Sequence, residues 1–290
     1  MERKLPDTVY PTDRTNTIIE VATPTLPVII AAMSPRRLYC PDLKEGLNLL
    51  PPEESHHAVS SLRAKAGDEF VVFDGRGREA RARVERVTRR QTQVVVERIT
   101  ERPFDLLHRI TLAVAMTKAH RQGYLIEKCT ELGAAAFWPI LAERSVVRCE
   151  LRAPRLTGRG ADPSAAVDKW SRRAVEAAKQ SARAWVPTVE SPQTFARAIA
   201  RIGEFSAAAI ADPDSSATPF TDFLRNHGEG STLLVFVGPE GGWSEGECRA
   251  AVGAGAVRIR LSPTILRSET AAVAVCAAAA LYSASNETME

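Results

Sequence analysis

The sequence predicts an α/β protein: a mainly parallel sheet covered by helices, preceded by a smaller β-rich barrel. Three observations carry this. From Arg109 onward, short apolar runs alternate with helical spacings, the pattern of repeated strand–helix units. Between Arg36 and Arg102, short strands follow one another with turn residues between them. Two apolar runs, Thr232–Val237 and Ala256–Leu261, end abruptly in Gly238-Pro239-Glu240-Gly241-Gly242 and in Ser262-Pro263-Thr264. Such turns after buried strands put two loops at one end of a sheet, where open α/β sheets bind ligands.

A chain of 290 residues suits two domains of ~100–200 residues each. The expected division is a barrel at 36–103 and an α/β domain at 104–290, after an extension at 1–35. Apolar residues make up 44% and charged residues 25%, ordinary for a soluble globular protein. Cys40, Cys129, Cys149, Cys248 and Cys276 are scattered, odd in number and without a C-x-x-C pair. They are expected to be reduced thiols in a cytoplasmic protein that holds no metal. No run of ~18 apolar residues is present to span a membrane. Met1–Ala32 has several prolines and threonines, no helix caps and acidic residues at positions 2, 7, 13 and 20. It is expected to be a flexible extension rather than a secretory signal, with Met33 as an alternative start.

In the barrel, Phe70–Phe73 reads as a strand and Asp74-Gly75-Arg76-Gly77 as a hairpin turn. Ala80–Val87 and Gln93–Ile99 supply two more strands. Arg76–Arg102 holds nine arginines, among them Arg76 and Arg78, against four glutamates, a local excess of five positive charges. The net charge of the whole chain is only +3. A basic face suits phosphate contacts; a solvated strand face is the alternative.

In the second domain, Arg109–Ala115 reads as the first strand, with Lys118 at its end. Arg121–Leu132 reads as a helix, because Leu125, Ile126, Cys129 and Leu132 share a face and Gly133 can cap it. Ala136–Leu141 is a strand, with Glu143-Arg144-Ser145 just past it. Asp168–Arg183 is a helix with Trp170, Ala174, Ala177 and Ala178 on one face. Phe195–Ile202 is a helix and Ala207–Ala211 a strand ending at Asp212-Pro213-Asp214. Ser244 and Glu247 form a capping-box pattern that starts a helix. Thr270–Ser283 is an alanine-rich helix.

The glycine turn is neither a phosphate loop nor a dinucleotide fingerprint, since both spacings are missing. Its glycines permit positive φ and close backbone approach to a ligand, and Pro239 stiffens it. A purely structural strand-to-helix connection is the alternative.

GPEGGWSEGE followed by LSPTILRSETAAVAV resembles the RsmE family of 16S rRNA uridine-N3 methyltransferases, in the SPOUT superfamily. The stretches Lys118–Arg148, Asp168–Val189 and His56–Gly77 continue the resemblance in order, over most of 36–284. It implies a PUA-like RNA-binding barrel joined to a SPOUT domain with a trefoil knot, which periodicity alone cannot reveal. It also implies S-adenosylmethionine as cofactor, 16S rRNA or the assembled small subunit as partner, and a homodimer built on the alanine-rich helix. Val237, Gly238, Gly241 and Gly242 would cradle the cofactor, with Leu261, Ile265, Leu266 and Thr270 around it. Arg267 would stabilise the anionic uracil or its phosphate, and Glu240 and Glu269 are candidate bases. Glu269 has a second reading, as a favourable charge at a helix N-terminus. Arg76, Arg78, Lys118, Arg121, Arg144 and Arg183 are the candidate RNA contacts, with surface ion pairs as the alternative for Lys118 and Arg144. His56 and His57 would open a helix and be structural or RNA-facing. Cys149–Val167 is longer than the family pattern, and its Arg152, Arg155 and Arg159 are expected to add RNA affinity. A non-catalytic RNA-binding protein on the same fold is the competing reading, and a nucleotide-dependent enzyme unrelated to RNA is a third.

Overall fold

The computed structural model describes residues 36–88, 91–117, 119–145 and 163–286. The extension at 1–35, Lys118, Cys149 and most of the 149–167 stretch lie outside the described residues.

The first sheet has five strands: β1 (Arg37–Tyr39), β2 (Gly46–Leu49), β3 (Glu69–Phe73), β4 (Arg78–Val87) and β5 (Thr92–Glu101). Their order is β1-β3-β4-β5-β2, antiparallel except for the β1–β3 pair. Register shifts at Ala80/Ala82 and Val84/Arg86 bend β4, which lets the sheet coil around its own core. That core is Leu38, Phe70, Val72, Ala82, Val84, Val94 and Val96. Between β2 and β3 lies α1 (Pro52–Ser60). It opens on Pro52, whose fixed φ suits a first helical position. His56 and His57 therefore sit inside and near the end of the helix rather than opening it.

The second sheet is wholly parallel. In chain order it contains β6 (Arg109–Ala115), β7 (Ala136–Leu141), β8 (Thr188–Val189), β9 (Gln193–Thr194), β10 (Ala207–Ala211), β11 (Thr218–Pro219), β12 (Thr232–Val237) and β13 (Val257–Arg260). In space the order is β11-β13-β10-β12-β6-β7-β8, with β9 also pairing β7. The helices are α2 (Ala119–Glu131), α3 (Pro163–Gln180), α4 (Phe195–Ile199), α5 (Phe220–Arg225), α6 (Glu245–Gly253) and α7 (Ser268–Asn286). Strands buried on both faces read as unbroken apolar runs. Alternate residues then feed two cores. Ile110, Leu112, Leu233 and Val235 pack with Leu125, Ile126, Trp170, Val275 and Ala279 on one face. Ala113, Leu234, Phe236 and Trp138 pack with Phe195 and Trp243 on the other.

Several boundaries differ from expectation. α3 starts five residues before Asp168 and ends at Gln180, where Ala182 adopts a left-handed φ of 58°. Arg183 is thus outside the helix. The 195–202 helix is two pieces, α4 and a 3-10 turn at Ile202–Glu204. α7 begins two residues before Thr270.

The two sheets meet at one joint. The hairpin turn at 74–77 packs on residues 184–186: Gly77 N–H donates to the Ala184 carbonyl (3.1 Å) and Val186 N–H to the Gly75 carbonyl (2.9 Å). Trp185 Nε1 donates to the carbonyls of Arg102 (3.1 Å) and Pro103 (2.9 Å). Lys179 on α3 pairs with Glu54 on α1 at 2.9 Å, both side chains 7% exposed.

Candidate functional site

β10, β12 and β13 are neighbours in the sheet and end on the same side, so the loops after them converge. They enclose a cavity of about 420 Å³. The glycine turn supplies one wall, the 261–266 turn a second, and Ala211, Asp212 and Pro213 a third. Arg144, Trp243, Cys248, Ser268 and Ala271 complete the lining.

The glycine turn is held from three sides. Gly242 N–H donates back to the Pro239 carbonyl (2.9 Å), and Gly242 has φ +68°, the left-handed region that glycine enters freely. Arg144 Nη1 donates to the Gly241 carbonyl at 3.2 Å. Ser268 Oγ donates to the Gly238 carbonyl at 2.5 Å. Beneath the turn, Trp243 is buried against Phe195 and Phe236. A β-carbon on Gly238 would come within 3.2 Å of the Trp243 indole nitrogen. After Trp243 the chain enters α6 through a complete capping box between Ser244 and Glu247. Glu247 also accepts from Glu143 N–H at 2.8 Å, which ties the β7 end to the same turn. A second cavity of about 500 Å³ lies beyond this box. There, Glu247 has both carboxylate oxygens committed to backbone N–H groups.

The charges beside the main cavity are ordered. Asp212 is gripped by Arg258 at 2.8 Å, and Arg258 also pairs with Asp214 at 3.3 Å. Burial, and next the Asp212 charge, push the Cys248 thiol up, so it stays protonated. Arg121, on the first turn of α2, makes a close ion pair with Glu240 and a second, at 3.8 Å, with Glu269. Among the described residues no group of three or more His, Cys, Asp or Glu side chains is placed to hold a metal ion. None of the described helices is long and apolar enough to cross a membrane.

Of the sequence candidates, the cavity gathers Val237, Gly238, Glu240, Gly241, Gly242, Leu261, Ile265, Leu266 and Arg144. Glu269 and Arg121 stand behind Glu240 through the ion pairs. Arg267 is exposed between Leu266 and Ser268, outside the lining. Thr270 is corrected: it faces solvent, while Ser268 and Ala271, offset along the helix, line the cavity. Arg183 is also corrected. It is 5% exposed, and its guanidinium serves Asp105 (2.6 Å) and the Thr130 and Ala134 carbonyls (2.7 and 3.2 Å), leaving it no path to RNA. Arg76 and Arg78 sit at the joint. Arg78 is paired with buried Asp74 at 2.7 Å, and the Arg76 side chain is 67% exposed. Sequence reasoning missed Asp212, Pro213 and Trp243.

Comparison with known proteins matches this architecture. A family model for an RNA methyltransferase domain matches residues 105–280, and one for an RNA methyltransferase PUA domain matches residues 50–97. The Ribosomal RNA small subunit methyltransferase E of Bacillus subtilis is 31% identical over 223 residues, 76% of this chain and 84% of that protein. The chain belongs to the ribosomal RNA small subunit methyltransferase E family. Another methyltransferase E, from Mycobacterium tuberculosis, is 34% identical over 222 residues, 76% of this chain and 80% of that one. The methyltransferase E of Neisseria gonorrhoeae, crystallised with S-adenosyl methionine, superposes with a TM-score of 0.71 at 26% identity, covering 84% of this chain and 96% of that one. In this methyltransferase E chain the five-stranded sheet is the PUA domain and the parallel sheet is the SPOUT methyltransferase domain.

Proposed function

We propose that this chain transfers a methyl group from S-adenosylmethionine to N3 of one uridine in 16S ribosomal RNA, and so contributes to ribosome maturation in the cytoplasm. The observation that carries this reading is the cavity between the glycine turn and the 261–266 turn, at the ends of three adjacent parallel strands. Its volume falls in the ~300–1,000 Å³ range of small-molecule pockets. Its chemistry fits the donor: apolar Val237, Leu261, Ile265 and Leu266 for a purine ring, and bare backbone from Gly238 to Gly242 for polar groups. Ile265, 86% exposed, is an apolar lip awaiting cover.

The bound donor supplies an electrophilic methyl group on a sulfonium sulfur. The residues of this chain must then align a uridine and accept its N3 proton, since N3 is nucleophilic only as the anion. Arg267, at the exposed rim, stabilises the anionic uracil or its phosphate. Glu240, in the cavity lining, and Glu269, linked to it through Arg121, are the candidate bases. Arg144 follows the end of β7 on this side and meets the RNA backbone, and Lys118 is a further candidate for such a contact. Arg81, Arg83 and Arg86 project from the exposed face of β4 and add phosphate contacts. The target uridine must turn out of its stack to enter.

The chain acts as a homodimer. Leu281, 70% exposed on α7, and Ile265 are apolar groups that a second copy would cover. Light scattering at micromolar concentration tests this, and a monomer contradicts it. The activity is tested by mass spectrometry of small-subunit rRNA from a deletion strain. The expected result is one uridine that lacks its methyl group and regains it with the restored gene. A chain that binds RNA but leaves that methyl group unchanged would be a binding protein instead.

A further inference from the structure

The third wall of the cavity carries a carboxylate with no role in the reading above. Asp212 directly follows β10 and lines the cavity together with Ala211 and Pro213. β10 lies between β12 and β13. Continuing the two ladders past Ile210–Phe236 and Ala211–Ile259 sets Asp212 level with Gly238 on one side and one residue short of Leu261 on the other. Its main chain is fixed: Asp212 N–H donates to the Ile259 carbonyl at 2.8 Å, and Pro213 locks the next φ. Its side chain is fixed as well. Arg258 Nε donates to Oδ2 at 3.0 Å, and Arg258 Nη2 stands 2.8 Å from the same oxygen. Oδ1 accepts from Asp214 N–H at 2.9 Å. A carboxylate has about four acceptor sites. Two guanidinium nitrogens occupy Oδ2, one N–H occupies half of Oδ1, and the other half of Oδ1 is open. The side chain keeps 13% of its surface exposed, so the cavity reaches it.

We propose that Asp212 Oδ1 accepts a hydrogen bond from the ribose diol of S-adenosylmethionine, with Arg258 as the positioning residue that holds the carboxylate for it. The inference rests on the donor-site reading above and assigns the third wall to one part of the donor. The donor carries three kinds of hydrogen-bond donor: the adenine amine, the ribose hydroxyls and the ammonium of its amino-acid end. A purine against Val237 and Leu261 lies between the two strands that flank Asp212, and the ribose is the next group along. The ammonium is the weaker match. Arg258 already offsets the Asp212 charge, so a second cation gains little there, whereas a hydroxyl needs only the open acceptor site. An acidic side chain that takes a ribose hydroxyl near the carboxyl ends of the strands is a recurrent arrangement in open α/β sheets.

The test is calorimetry on the full chain with three ligands: S-adenosylmethionine, its 2′,3′-dideoxy analogue and its desamino analogue. A hydrogen bond to an ionised group corresponds to a factor of about ten or more in Kd. The wild type is therefore expected to bind the dideoxy analogue about tenfold or more weakly than S-adenosylmethionine. Asp212→Ala is expected to lose the same factor on S-adenosylmethionine and to bind the dideoxy analogue as the wild type does, which also shows that the variant folds. Asp212→Asn, which keeps one acceptor oxygen, and Arg258→Ala are expected to show the same pattern with smaller losses. Removal of the ammonium is expected to cost the wild type and Asp212→Ala the same factor. A dideoxy penalty as large in Asp212→Ala as in the wild type, an ammonium penalty that disappears in Asp212→Ala, or an equal loss of all three ligands in that variant would each overturn the inference alone. A wild-type protein that binds none of the three would overturn the donor-site reading and this inference with it.

Discussion

Ser268, the first residue of α7, donates its hydroxyl to the carbonyl of Gly238, the first residue of the glycine turn, at 2.5 Å. Two loops 30 residues apart are thereby fastened into one wall of the cavity. Ser268 is 2% exposed, so nothing but protein shares this bond. Ser268→Ala removes about 0.5–1.5 kcal/mol of net bonding. It is expected to weaken donor binding by up to about tenfold. Calorimetry measures this; a normal Kd would show that the wall stands without the bond.

The glycines of the turn differ in what they forbid. Gly238→Ala drives a methyl group toward the Trp243 indole, so both thermal stability and donor affinity are expected to fall. Gly242 has open space but φ +68°, so Gly242→Ala meets only backbone strain, about 1–2 kcal/mol. Gly242→Asn should be tolerated better than Gly242→Ala, because asparagine enters the left-handed region more readily. Paired melting curves check the order.

Arg183 is expected to matter for folding and not for RNA. Arg183→Met leaves the Thr130 and Ala134 carbonyls without their donor and frees a partly exposed Asp105, and each buried acceptor left unpaired costs about 1–3 kcal/mol. At about 2–4 °C per kcal/mol, the melting temperature should drop by roughly 10 °C. The salt dependence of RNA binding should stay unchanged. A flatter slope with normal stability would return Arg183 to the RNA surface.

Much of this architecture is legible in the sequence, and the gaps have physical causes. β6, β7, β10 and β12 coincide with the apolar runs, because strands buried on both faces carry little else. β1, β2, β8, β9 and β11 have two to four residues, too few to show a period. The two turns announce the cavity through Gly, Pro and Ser. Asp212 goes unannounced, because its role depends on β10 lying between β12 and β13, and sheet order is not a local property. The pairing of Arg121 with Glu240 spans 119 residues for the same reason. Arg183 misleads because a sequence shows charge and hides burial.

The joint should respond to acid. Burial alone would raise the Asp74 carboxyl, but the Arg78 guanidinium and the backbone N–H groups of Arg76 and Arg78 outweigh it and hold it below its ordinary value of 3.8. A carboxyl lowered in the folded state adds stability above its unfolded value and loses it as pH falls through the folded one. Stability of the joint is therefore expected to decline as pH drops below 3.8, and Asp74→Asn should remove that decline while lowering stability at pH 7. Melting curves across pH 2–7 check both.

The central claim is that the two turns hold a methyl donor beside an RNA base and direct transfer to N3 of uridine. The most direct measurement is incubation of the purified chain with S-adenosylmethionine carrying a labelled methyl group and unmethylated small-subunit rRNA, followed by nucleoside mass spectrometry. The account predicts one labelled 3-methyluridine per RNA. Label on a ribose hydroxyl, on a carbon of the base, or on no nucleoside at all would contradict it.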